Sequence, residues 1–205
     1  MSTQEYYPRF PPTPVSQHPS PTKAFAEEAD SKIGNTFGEN GSIITYRHEN
    51  GGLIGPFPIL IASKEAGQAF GNVIQSLGHL EEIPADAKEV AILTVGAKFN
   101  CAFEQYAHLN IATKKAGLTV DQCKAMREGR KPEGLSKMAE VTYEAAHYLV
   151  NRPGPLPKDL FDKWVATMGS KEKVLHLTHY VGLYSHVCVL MNMADTPLPP
   201  GEPSL

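Results

Sequence analysis

DAKEVAILTVGAKFNCAFEQYAHLNIATKKAG, residues 86–117, is the stretch whose reading decides the fold. Asp86 with Glu89 three residues on has the form of a capping box. Val90, Ala91, Ile92, Leu93 and Val95 then put apolar groups on nearly every face, the pattern of a buried helix. Asn100 reads as the cap of a second helix, with Cys101 in its first turn. At ~100° per residue, Cys101, Glu104 and His108 (i, i+3, i+7) fall within roughly a 60° sector of one face. A thiol in a first helical turn lies where backbone N–H groups and the helix dipole lower its pKa, and a histidine two turns on is a natural acid or base.

Each of these residues also has a plain structural role. Glu89 caps its own helix, Glu104 pairs with a cation, Cys101 packs as a small hydrophobe and His108 is satisfied by one hydrogen bond. Spacing alone does not separate a reactive site from a solvated face.

Outward from this stretch the pattern stays helical. Phe25, Ala29, Ile33 and Phe37 predict a helix from Thr22 to about Phe37, closed by Gly38 and Gly41. Further helices are predicted near 64–79, 86–99, 101–116, 119–129, 136–150, 157–168 and 171–194. Thr119 with Gln122, a lone Ser136 cap and the Pro153–Pro157 break mark the boundaries. The last helix is apolar on most faces, as expected of a core or subunit-interface helix. Between Gly41 and Pro58 the glycines match no phosphate-binding fingerprint, and the segment reads as an ordered loop. Six prolines in residues 1–21 predict a flexible, extended arm, and residues 196–205 form a proline-rich tail around a single domain at 22–195.

With 19 Lys and Arg against 22 Asp and Glu, the formal charge is −3, and no basic block points to nucleic acid. No signal-like or membrane-spanning run is evident, so a cytoplasmic protein with no membrane partner is expected. Three cysteines without CxxC or zinc-like spacing argue for free thiols. His176, His179 and His186 are a weak metal signal without a nearby carboxylate other than Glu172; packed histidines are the better reading, and no metal is expected.

Glu89, eleven residues, then Cys101-Ala-Phe-Glu104-Gln-Tyr-Ala-His108, followed by Ala112, Gly117 and Leu118, resembles the core motif of the carboxymuconolactone decarboxylase family. That family lies within the alkylhydroperoxidase D-like superfamily. The GGLIGPF segment at 51–57 and the closing helix resemble longer stand-alone members, so the resemblance spans most of 41–200.

It implies an all-α, alkylhydroperoxidase D-like bundle of helical hairpins that assembles as a homotrimer or homohexamer. The implied chemistry is cofactor-free decarboxylation, or a related isomerisation, of a small organic acid or lactone in aromatic or secondary metabolism. His108 is then the general acid or base, Glu104 tunes or relays, Glu89 completes a proton relay and Cys101 lines the site. Arg47 and His48 are candidates for a substrate carboxylate, and Phe57 and His179 for the pocket border. In the peroxidase branch a second cysteine stands where this chain has Glu104, which counts against a local CxxC disulfide. An alkylhydroperoxidase-type antioxidant and a non-catalytic small-molecule-binding oligomer remain the alternatives.

Overall fold

Helix after helix, with two isolated β-bridges and no longer strand, makes up the described residues, 8–80 and 82–202, of the computed structural model. In chain order these are α1 (Ser20–Phe37), α2 (Phe57–Ala62), α3 (Lys64–Gly78), α4 (Ala85–Lys98), α5 (Ala102–Lys115), α6 (Val120–Arg127), α7 (Lys137–Asn151), α8 (Lys158–Met168) and α9 (Lys171–Met193). The chain is thus all-α, as its periodicity predicts.

The bundle is built round α4. Every residue from Glu89 to Gly96 is buried, because this helix touches α5, α6, α7 and α9 on different sides. On one side Val90, Leu93, Met126 and Trp164 pack with α6, α7 and α8, and the Trp164 indole N–H donates to Thr142 Oγ1 at 3.1 Å. On the other, Ala91, Val95, Phe103 and Met191 join α1, α5, α9 and the loop at 41–56. The predicted caps form where the sequence carries the right groups: Thr119 and Gln122 exchange both hydrogen bonds of a capping box, and Ser136 accepts from Ala139 N–H.

Three local expectations are corrected. The helix expected from Asp86 starts at Ala85. Asp86 therefore sits inside the first turn, accepting from Ala87 N–H and Ser136 Oγ, and Glu89 faces the interior instead of capping. Asn100 is not a cap; it takes a left-handed turn at φ 47°, and Cys101 becomes the N-cap of α5. The loop expected to run to Pro58 ends at Pro56, where α2 begins, a helix of six residues too short to show a 3.6 period, with Pro58 in the first turn where no N–H is needed.

Within the segment expected to be a flexible arm, Arg9 N–H donates to Ala194 O at 3.1 Å and Pro14 pairs with Gly52. A Cβ at Gly52 would lie 2.7 Å from the Pro12 carbonyl carbon, so glycine permits this approach. Residues 1–7 of that arm and 203–205 of the tail lie outside the described residues.

Candidate active site

The α4–α5 turn places the site. Asn100 N–H donates to Ala97 O and Cys101 N–H to Gly96 O, the two bonds of a Schellman closure with Asn100 as its left-handed residue. Gln105 Nε2 adds a third contact to Gly96 O at 3.3 Å. The turn folds α5 back on α4, and one helical turn then separates Glu104 from His108 on the face towards Glu89.

His108 Nδ1 donates to Glu89 Oε2 at 2.7 Å, a charge-assisted distance, in a setting where Glu89 is 2% exposed. That bond fixes the ring and leaves Nε2 facing Glu104 Oε2 at 3.2 Å. The separation is within ion-pair range, yet the ring N–H is not aligned on the oxygen, and Glu104 Oε2 is buried without a hydrogen bond. Tyr184 packs edge-on to the imidazole, with centroids 4.9 Å apart. Lys88, on the outer side, lies 3.9 Å from the other Glu89 oxygen.

Burial pushes the Glu104 carboxyl above the ordinary 4.5; His108 opposes this and Glu89 adds to it. For His108, burial acts downward, but the charge and hydrogen bond of Glu89, with the charge of Glu104, overcome it and raise the imidazole above 6.5. Both groups therefore hold protons more tightly folded than unfolded. Their stabilisation is complete below 4.5 and 6.5 respectively and is lost as pH rises through the raised folded values. Glu104→Gln removes the carboxyl part of that loss. By calorimetry it should gain thermal stability relative to wild type as pH rises above about 5; a difference independent of pH would contradict the assignment.

Glu104 and His108 open into a cavity of about 760 Å³ between α1, α2, α3, α5 and α9. Of the residues proposed from sequence, Glu89, Glu104 and His108 meet, and Phe57 lines the cavity. Cys101 does not line it. As the closing residue of the Schellman turn it is buried, with its thiol beside Cys188 of α9; that neighbour, followed by burial, drives the Cys188 thiol far up.

Arg47 is drawn instead to Asp30 of α1, with Nη1 to Oδ1 at 2.6 Å, and to Gly51 O. The His48 ring accepts from Asn50 N–H within its own loop, and His179 is exposed on α9; neither lines the cavity. Among the described residues no group of three His, Cys, Asp or Glu side chains is arranged as metal ligands. Sequence reading missed Tyr184, Lys32 and Phe70 as lining residues. They belong to no motif, and only the tertiary arrangement of α1, α3 and α9 brings them to the cavity that Glu104 lines.

The bundle is an alkylhydroperoxidase D-like fold. Among solved structures it is similar to the debrominase Bmp8, determined as a cysteine-to-alanine variant in complex with 2,3,4-tribromopyrrole. The two share 14% identity over 92% of this chain and 90% of that one, with a TM-score of 0.69. No family model and no curated protein matches the sequence.

Proposed function

We propose that the chain is a carboxymuconolactone decarboxylase-like enzyme performing cofactor-free acid–base chemistry, decarboxylation or a related isomerisation, on a small organic acid or lactone. The observation that carries this reading is a buried Glu89–His108–Glu104 cluster whose Glu104 and His108 side chains line a cavity. A carboxyl whose proton affinity burial raises is suited to donate to a carbonyl oxygen as negative charge develops there, and His108, oriented by Glu89, can resupply that proton.

In a decarboxylation the pair from the breaking carbon–carboxylate bond passes into the carbonyl, Glu104 protonates the resulting oxyanion, and CO₂ departs. The enol then gives its O–H proton back to Glu104 as its pair returns to carbon, which takes one proton from solvent. In an isomerisation the same groups remove a proton from one carbon and return one to another. A debrominase on this fold supports a catalytic reading, because it shows what the architecture can host in another protein.

Lactone acids and enolisable lactones, followed by NMR in D₂O and by CO₂ release, test the proposal. Wild type should turn over at least one, and Glu104→Gln should slow it by about 10²–10³-fold. An unchanged rate in Glu104→Gln would remove the relay from the chemistry.

The contact between Cys101 and Cys188 favours one second reading, a thiol peroxidase in which an alkyl hydroperoxide oxidises the pair. Two thiols and ROOH would give a disulfide, ROH and water. A peroxide-dependent link between peptides containing Cys101 and Cys188 in mass spectra, with hydroperoxide consumption lost in Cys101→Ser, would establish that reading in place of the first.

A further inference from the structure

Two features of the cavity bear on what occupies it. The first is its wall. Five of the chain's 8 phenylalanines, Phe25, Phe37, Phe57, Phe70 and Phe103, converge from α1, α2, α3 and α5, and Tyr184 joins them from α9. Phe37, Phe57 and Phe70 are only half-buried, so aromatic surface that could pack on a ligand is left open to the cavity. At about 760 Å³ the space is in the range of sites for drug-sized ligands.

The second feature is its charge. The reacting end presents Glu104, with Glu89 behind His108. Among the described lining residues the one Lys or Arg is Lys32, exposed at the mouth, where its Nζ lies 2.7 Å from Glu28 Oε1 and 3.2 Å from Gln75 Oε1. An anionic group docked beside Glu104 would find no Lys or Arg, and the one cationic group near it, the His108 imidazole, already lies between Glu89 and Glu104.

We infer that the ligand is an apolar, ring-bearing, enolisable ketone or lactone, uncharged at its reacting end and carrying any anionic substituent outward to the Lys32 mouth. This deepens the acid–base reading and rests on it for the reaction, though not for the binding. The rings lie against the phenylalanines, and a carbonyl oxygen receives the Glu104 proton. Of the two reactions, the site then favours proton transfer at carbon over loss of CO₂.

Three probes separate the possibilities: 2-tetralone as a neutral bicyclic ketone, 2-naphthoate as a flat bicyclic acid, and 5-oxotetrahydrofuran-2-carboxylate as a small lactone acid. Ligand-observed NMR on the full chain should rank 2-tetralone first. Phe70→Ala should weaken it about tenfold and Phe70→Leu less. Phe70→Leu retains an apolar side chain at this half-buried position, which guards against a folding artefact.

In D₂O, wild type should accelerate α-deuterium exchange into 2-tetralone, and Glu104→Gln should abolish the acceleration. Tighter binding of either acid, or indifference to both Phe70 variants, overturns the inference and leaves the acid–base reading intact. Phe70-dependent binding of 2-tetralone without exchange does the reverse: the ligand class stands and the acid–base reading fails.

Discussion

His108→Ala should lower turnover by about 10²–10⁴-fold, measured as solvent-deuterium exchange or CO₂ release from the best substrate, the range expected for loss of a positioned general acid or base. His108 is the single link between Glu89, 2.7 Å away, and Glu104, 3.2 Å away, so its removal breaks the relay at its centre. The alanine variant carries a second effect: it leaves Glu89, 2% exposed, without its imidazole partner. Breaking a buried pair in this way costs about 3–5 kcal/mol, enough to lower the folded fraction and imitate a catalytic loss.

His108→Gln separates the two effects. Its amide can still donate to Glu89 but cannot exchange a proton near neutral pH. It should fold close to wild type and lose activity as severely as His108→Ala. If His108→Gln kept turnover within threefold of wild type, the imidazole would be a packing group and the catalytic role would pass elsewhere.

Which parts of this arrangement were legible in the sequence follows from how far apart the cooperating residues lie. Thr119 with Gln122 and Ser136 with Ala139 act within one turn, and the sequence alone places them. Glu104 and His108 share one helix face, so their adjacency follows from the 3.6-residue period. Glu89 meets them because a short reversal returns α5 along α4, and the motif predicted that meeting. The geometry of the reversal was not legible. The break near residue 100 was predicted to within a residue, but an Asn in the left-handed region and a Cys used as a cap are both uncommon choices, so its form was not.

Arg47 and Cys101 show the other limit. The partner of each, Asp30 for one and Cys188 for the other, lies on a distant helix, and nothing near either residue announces it. The cavity wall is of the same kind. Phe25 and Phe70 carry the pattern of ordinary packing residues, and only the placement of α1 and α3 opposite Glu104 turns them into a site.

Gly67→Ala should destabilise the protein by about 3 kcal/mol or more, read from urea or thermal unfolding, although helix propensity alone predicts a gain of about 1 kcal/mol for alanine. Gly67 is the fourth residue of α3, where a Cβ would stand 2.1 Å from Leu60 O and 2.8 Å from the Leu60 carbonyl carbon. Both atoms are backbone, so no rotamer relieves the contact; α2 and α3 must separate. Gly71, on the same helix, is the control. A Cβ there meets nothing within 4 Å, and Gly71→Ala should be neutral or stabilising by up to about 1 kcal/mol.

The consequence reaches the cavity, because Phe57 and Leu60 on α2 and Phe70 on α3 form the wall that the clash would push apart. Glu89, Glu104 and His108 belong to α4 and α5, closed by their own turn. Under conditions where Gly67→Ala remains folded, ligand binding should therefore weaken more than the rate of the bound substrate falls, whereas His108→Gln should show the opposite split. A Gly67→Ala variant as stable as wild type would mean that α2 and α3 do not meet at this distance, and the wall of the site would have to be redrawn.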